Sequence, residues 1–315
     1  MPAFLTVLRS FHGAFIRRSL CPFALGLALP CFALEPEPRM WNHLPVDANF
    51  GGIAFAHTEA DIYFDPTLRL ENVELTQDTW AAKYIRTFEA LGKSARLDIT
   101  QAYQRAKWTG LVNGVPASTS RVGWSDTLVR VAMNVYGAPP LRGQEFARYR
   151  ATAGRETIVG VGLVLRLPTG GYEEDKLLNL GENRFVFRPQ LGVIHSRGNW
   201  TTELTGEVAL HAENDDFFNG NSLEQEPLYF VHGHLIYSLG PGQWAGISLG
   251  YNHGGESRIN GVDQDDVRQN VGWKLSYAHP VTPVSGLKVS YVGSRTEETT
   301  GFDAETLVVD LSFAW

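Results

Sequence analysis

Two histidines spaced two residues apart, His232 and His234, are the first place where this sequence could do chemistry. Alternate residues of a strand share a face, so both rings would point the same way and could bridge a metal. A third ligand would come from the preceding segment, which carries Glu207 and His211. The alternative is a polar interior lining, and that is the reading adopted: no metal and no cofactor is expected.

A second set is purely ionic. Arg166, Arg184, Arg188, Glu203, Glu207, Lys274 and Lys288 all fall on one inferred face of their segments, with Asp310 on the same face of the last one. Turned toward lipid, such charges would cost roughly 2–4 kcal/mol each. Turned inward, they can pair across neighbouring segments as a network that plugs a narrow interior, or line a solvated passage. The expected lining is therefore Arg166, Arg184, Arg188, Glu203, Glu207, His211, His232, His234, Lys274 and Asp310.

Two acidic clusters, Asp215-Asp216 and Asp263 with Asp265-Asp266, could hold calcium or bridge lipopolysaccharide through divalent cations. Neither has the full spacing of a calcium loop, and a solvated loop is the plainer reading. A hydrolytic group could be built from His211 with Asp215, or from His253 with Glu256. Neither His-Glu-x-x-His nor a phosphate loop accompanies them, so no enzyme is expected.

The elements that must position these residues are strands. From about Asn49 onward, segments of ten or so residues alternate apolar with polar or small side chains, and about twelve such segments follow one another. In 155–168, Val159, Val161, Leu163, Leu165 and Leu167 oppose Gly160, Gly162, Val164 and Arg166. In 229–239, Tyr229, Val231, Leu235, Tyr237 and Leu239 oppose His232, His234 and Ser238. The last segment places Leu307, Val309, Leu311, Phe313 and Trp315 on one face. An apolar face that runs to a terminal Trp suits lipid, with Trp315 at the interface. In 78–91, Arg86 shares a face with Trp80, Tyr84 and Phe88, which predicts either a bulge or a snorkelling Arg there.

The connectors alternate in length. Short ones fall at Gly92-Lys93, 196–199, 240–242 and 279–286, and longer ones at 65–78, 110–120, 169–183, 214–227 and 254–267. Short periplasmic turns and longer external loops have this rhythm. One connector, 137–154, is long where a short one is due, and its Glu145-Phe146-Ala147-Arg148-Tyr149 is expected to form a short helix at or inside a barrel mouth.

The N-terminus reads as a signal peptide. Arg9, Arg17 and Arg18 precede an apolar run from Leu20 to Leu34, too short to span a bilayer, and cleavage is expected after Ala33. Both cysteines, Cys21 and Cys31, would leave with it, so the mature chain would carry no disulfide. Removing 1–33 takes away three Arg and no acid, moving the formal net charge from -7 to -10, which argues against nucleic acid as a partner.

Several short stretches then combine: Phe64-Asp65-Pro66 with Glu71; Asn134-Val135-Tyr136-Gly137-Ala138-Pro139-Pro140-Leu141; Leu167-Pro168-Thr169-Gly170 with Tyr172; Asn179-Leu180-Gly181-Glu182-Asn183-Arg184; and Asn214-Asp215-Asp216-Phe217-Phe218. In their order and spacing the chain resembles the meta-pathway phenol-degradation family of outer-membrane transporters. The resemblance implies a barrel that passes small, aromatic or hydrophobic compounds. It assigns no functional residue.

The sequence thus predicts an all-β chain: a signal peptide at 1–33, a periplasmic segment at 34–48 and a transmembrane antiparallel β-barrel of about twelve strands over 49–315. The expected location is a Gram-negative outer membrane. Expected partners are outer-membrane lipid and lipopolysaccharide, a small-molecule solute, and the barrel-assembly machinery, which would read Phe313-Ala314-Trp315. The expected function is passive or facilitated diffusion. A structural or surface-binding barrel without transport is the alternative, and a hydrolase stands behind it.

Overall fold

A computed structural model describes residues 37–64 and 70–315. The expected signal peptide, 1–33, lies outside the described residues. The strands are β1 (Asn49–Tyr63), β2 (Leu70–Ala90), β3 (Lys93–Val112), β4 (Val115–Trp124), β5 (Thr127–Tyr136), β6 (Arg155–Leu167), β7 (Val186–Arg197), β8 (Trp200–His211), β9 (Asn214–Phe217), β10 (Asn221–Gln225), β11 (Leu228–Gly240), β12 (Gln243–Gly254), β13 (Ser257–Ile259), β14 (Val262–Asp263), β15 (Arg268–Thr282), β16 (Ser285–Thr296) and β17 (Gly301–Ala314). Helix α1 (Gly143–Thr152) joins β5 to β6.

Twelve of these strands close an antiparallel barrel. The seam is β1 on β17, in register from Phe50↔Ala314 to Tyr63↔Gly301. It continues past the last strand pair through Asn49 N to Trp315 O at 3.1 Å and Trp315 N to Asn49 O at 3.0 Å. Closure leaves no edge whose backbone groups would be stranded in lipid. The Trp315 ring covers Gly51, where an added Cβ would lie 3.1 Å from it.

The alternation seen in the sequence becomes two surfaces. Val161, Leu163, Leu204, Leu249 and Leu307 stand outward, Leu249 with 62% of its surface exposed. An apolar outer belt of this kind is stable only against hydrocarbon. Arg86 also faces outward, at the rim, where its side chain reaches the Asp47 carbonyl at 3.1 Å and Asn49 Oδ1 at 3.3 Å. The β1–β2 register runs unbroken through Asn49↔Arg86, so this is the snorkelling Arg and not a bulge.

Two long connectors shorten on inspection. Residues 110–120 are a hairpin: β3 and β4 run on beyond the barrel wall and turn at Asn113-Gly114. Both turn residues have positive φ, 52° and 76°, the twist a two-residue hairpin needs and Asn-Gly supplies. Residues 70–78 belong to β2, which is 21 residues long. The connectors 214–227 and 254–267 hold β9, β10, β13 and β14, which pair as a separate small sheet.

The stretch expected as a periplasmic segment, 34–48, is described from residue 37. Residues 37–48 turn back into the barrel end that holds the start of β1 and the end of β17, and Trp41 is 1% exposed. The helix expected around Glu145–Tyr149 is α1, lying across the same end. The His43 ring meets Phe146 and Tyr149 edge-on at 4.9 and 5.2 Å, and Arg142 binds Asp47 at 2.6 Å.

Candidate functional site

The floor of the lumen is built by residues 37–48. They have no alternation because they are not a strand; Pro38 and Pro45, with positive φ at Arg39 and Asp47, bend them across the opening. Trp41 Nε1 donates to Thr205 Oγ1 at 2.8 Å. The indole lies on Gly160 of β6 and Gly192 of β7, where an added Cβ would stand 2.1 and 1.8 Å from its atoms. The Arg130 guanidinium covers the same ring at 4.6 Å. Glu203 accepts the backbone N–H of Arg39 at 2.7 Å and that of Trp41 at 3.3 Å. At the far wall, Glu37 lies between Lys274, at 3.1 Å, and Lys288. The floor is thus pinned to β8, β15 and β16 as well as to its own β1.

Above the floor, the inner face carries a chain of ionic and amide contacts. Asp98 of β3 takes Arg96 at 2.8 Å and Arg130 at 3.5 Å. Arg130 Nε donates to Gln190 Oε1 at 2.8 Å, and Gln190 Nε2 donates to Glu207 Oε2 at 2.6 Å. Glu207 also pairs with Arg188 and lies 3.6 Å from His232 Nε2. Lumen charges placed in this way pair across β3, β5, β7, β8 and β11.

The opposite end is covered by residues 168–185. Asp126, at the break between β4 and β5, accepts the N–H of Gly170 and of Glu182, each at 2.9 Å. Gly170 and Gly181 pass so close that a Cβ on Gly170 would lie 2.9 Å from Gly181 Cα. Glu182 is buried, and burial alone would raise its pKa; Arg166, Arg184 and the neighbouring His211 and Arg268 overcome this and hold it down to about 2. Arg166 Nη1 is 2.6 Å from Glu182 Oε1, and Arg184 Nε is 3.3 Å from Oε2. Asn179 Oδ1 accepts Glu173 N–H, and Asn214 Nδ2 donates to Tyr172 OH.

Between floor and cover lies a cavity of about 490 Å³. Of the predicted lining residues, Arg166, Arg184, Arg188, His211, His232 and Asp310 border it. Glu203, Glu207, His234 and Lys274 also face inward but sit behind, bound to the floor or to the wall network. Glu37, Leu44, Glu182 and Arg268 border the cavity and were not among the expected lining residues. The floor carried no periodic signal at all.

The groups that could have been chemical centres have other partners. His232 turns to Glu207, whereas His234 Nδ1 meets Ser248 Oγ at 2.7 Å, so the two rings do not converge on one ligand. Gly246-Ile247-Ser248-Leu249-Gly250 has the Gly-x-Ser-x-Gly spelling of hydrolases. It lies inside the regular ladder of β12 and not on a strand-to-helix elbow. Among the described residues His234 Nε2 has no hydrogen-bond partner, so none of their acids orients the ring, and Ser248 is not among the residues that border the cavity. Asp266 accepts Ser257 N–H and Oγ–H, both at 2.6 Å, and Asp263 pairs with Arg258 at 2.7 Å. These are loop-stitching roles.

Comparison with known proteins agrees with this architecture. The family described as "Putative MetA-pathway of phenol degradation" matches residues 60–306. An outer membrane channel from Pseudomonas putida F1 superposes with a TM-score of 0.75 at 21% identity, over 89% of this chain and 100% of that one. The β domain of the Bordetella autotransporter BrkA gives a TM-score of 0.48 at 11% identity, over 85% of this chain and 100% of that one. No curated protein matches the chain.

Proposed function

The chain belongs to the MetA-pathway phenol-degradation family, and from that membership we propose that it is an outer-membrane channel for small, aromatic or otherwise weakly polar solutes. The observation that carries this reading is the cavity of about 490 Å³ enclosed by the wall, with both charged and apolar lining. A site of this size suits one small molecule, and mixed lining suits passage better than tight retention. In this reading the end holding residues 37–48 and α1 is periplasmic, and the end covered by 168–185 faces outward. The protein is exported with a cleaved signal peptide, and Phe313-Ala314-Trp315 is presented to the barrel-assembly machinery. Lipid and lipopolysaccharide surround the outer belt.

A barrel that only binds or braces is favoured by one observation, the multiply pinned floor. Liposome swelling separates the two. The purified chain, with folding checked by a gel shift between boiled and unboiled samples, is expected to admit phenol and benzyl alcohol faster than protein-free vesicles. Swelling no faster than in those vesicles, for every solute tried, would leave the bracing role.

A further inference from the structure

One corner of the cavity wall holds more cation than its carboxylate can satisfy. Both oxygens of Glu182 are taken, one by Arg166 and one by Arg184. Arg184 Nη2 donates to Gln225. After these bonds, Arg166 Nε and Arg184 Nη1 are buried with no hydrogen-bond partner among the described residues, and Arg184 is only 4% exposed. A guanidinium does not shed its charge on burial. An unmet buried donor is costly, and more so where the group is charged. Two Arg against one Glu leave a single positive charge, and the Arg268 guanidinium adds its field to the same carboxylate.

The surface next to these donors is apolar. Val186, Ala209, Leu228 and Phe230 form one buried cluster, and Val186, Leu228 and Phe230 border the cavity together with Arg166 and Arg184. Val186 follows Arg184 by two residues, and Leu228 follows Gln225 by three, so the cluster begins where the charged corner ends. A neutral phenol would meet the apolar wall but could not neutralise the guanidinium pair. A phosphate dianion has no apolar part to bury against that wall.

We infer that this corner is a binding subsite for a small aromatic monocarboxylate, its carboxylate on Arg166 and Arg184 and its ring against Val186, Leu228 and Phe230. A planar carboxylate accepts paired donors from guanidinium groups, which gives orientation as well as charge. The subsite takes its physiological sense from the channel reading, but its occupancy is an equilibrium property that does not need flux.

Isothermal titration of the folded full-length chain in detergent, with benzoate against the neutral isostere benzamide, tests it. Benzoate is expected to bind at least tenfold more tightly, and R184Q to lose at least tenfold in benzoate affinity with benzamide unchanged. R166Q serves as the second variant, with the boiled and unboiled gel shift reporting folding of each. Equal affinity for the two ligands, no binding of either, or benzoate affinity unmoved in both folded variants would overturn the subsite. Failure of phenol and benzyl alcohol to enter liposomes would instead strike the channel reading and leave the titration result standing.

Discussion

The Trp41 indole occupies the space that a side chain at Gly192 would need: a Cβ there would lie 1.8 Å from Nε1. The floor of the lumen and the wall of the barrel are therefore fitted to each other through a residue that has no side chain. Gly192→Ala is expected to expel Trp41 while leaving the β7 ladder intact. The checks are the tryptophan emission maximum, which should shift to the red, and trypsin cleavage at Arg39, which should accelerate several-fold. An unchanged emission maximum would mean that the floor is not seated on this wall.

Glu203 holds the same segment by its backbone, accepting the N–H of Arg39 and of Trp41. Such hydrogen bonds contribute about 0.5–1.5 kcal/mol each, more where the acceptor is ionised. Glu203→Ala should release residues 37–48 without unfolding the barrel. Hydrogen exchange at the Arg39 and Trp41 amides is expected to rise at least tenfold, with protection of β8 retained. Loss of protection along β8 as well would make Glu203 a wall residue and not a floor anchor.

Arg188 pairs with Glu207 and stacks over Phe230, its guanidinium carbon 5.4 Å from the ring centroid. Arg188→Glu would put two carboxylates side by side on the cavity wall. Reversal potentials across a salt gradient should move toward cation preference relative to the parent. No movement would mean that this wall does not see the permeating ions.

Acid should loosen the cover. The folded-state pKa of Glu182, about 2, lies below the ordinary carboxylate value, so its contribution is present above about pH 4.3 and is lost as pH falls toward 2. Arg166, Arg184, His211 and Arg268 face it and repel one another once it is protonated. Pepsin cleavage within 168–185 is expected to be several-fold faster at pH 2 than at pH 4 after correction for pepsin activity on an unfolded standard, and Glu182→Gln should remove that difference.

The wall was legible because a strand in lipid has a strict rule: alternate residues must be apolar. That rule turned Val159, Val161 and Leu163 outward and Arg188, Glu207 and His232 inward with no further information. It also closed the seam at Trp315. The floor was not legible, because Trp41 and Glu37 sit in a Pro-bent segment whose contacts reach residues far along the chain, Thr205 and Lys274 among them. The cover was half legible. Gly170, Asn179, Gly181 and Glu182 carried the family resemblance, but their reason, convergence on Asp126 and on the Arg166–Arg184 pair, needed three dimensions. The Asn113-Gly114 hairpin was available from local turn chemistry and was masked by counting the stretch as a loop.

Single-channel recording of the folded chain in a planar bilayer, beside Gly192→Ala, tests the central claim most directly. A channel whose lumen is narrowed by residues 37–48 should give small discrete steps, and the variant steps at least twice as large. Silence from both proteins, at every voltage and with every salt tried, would contradict the account.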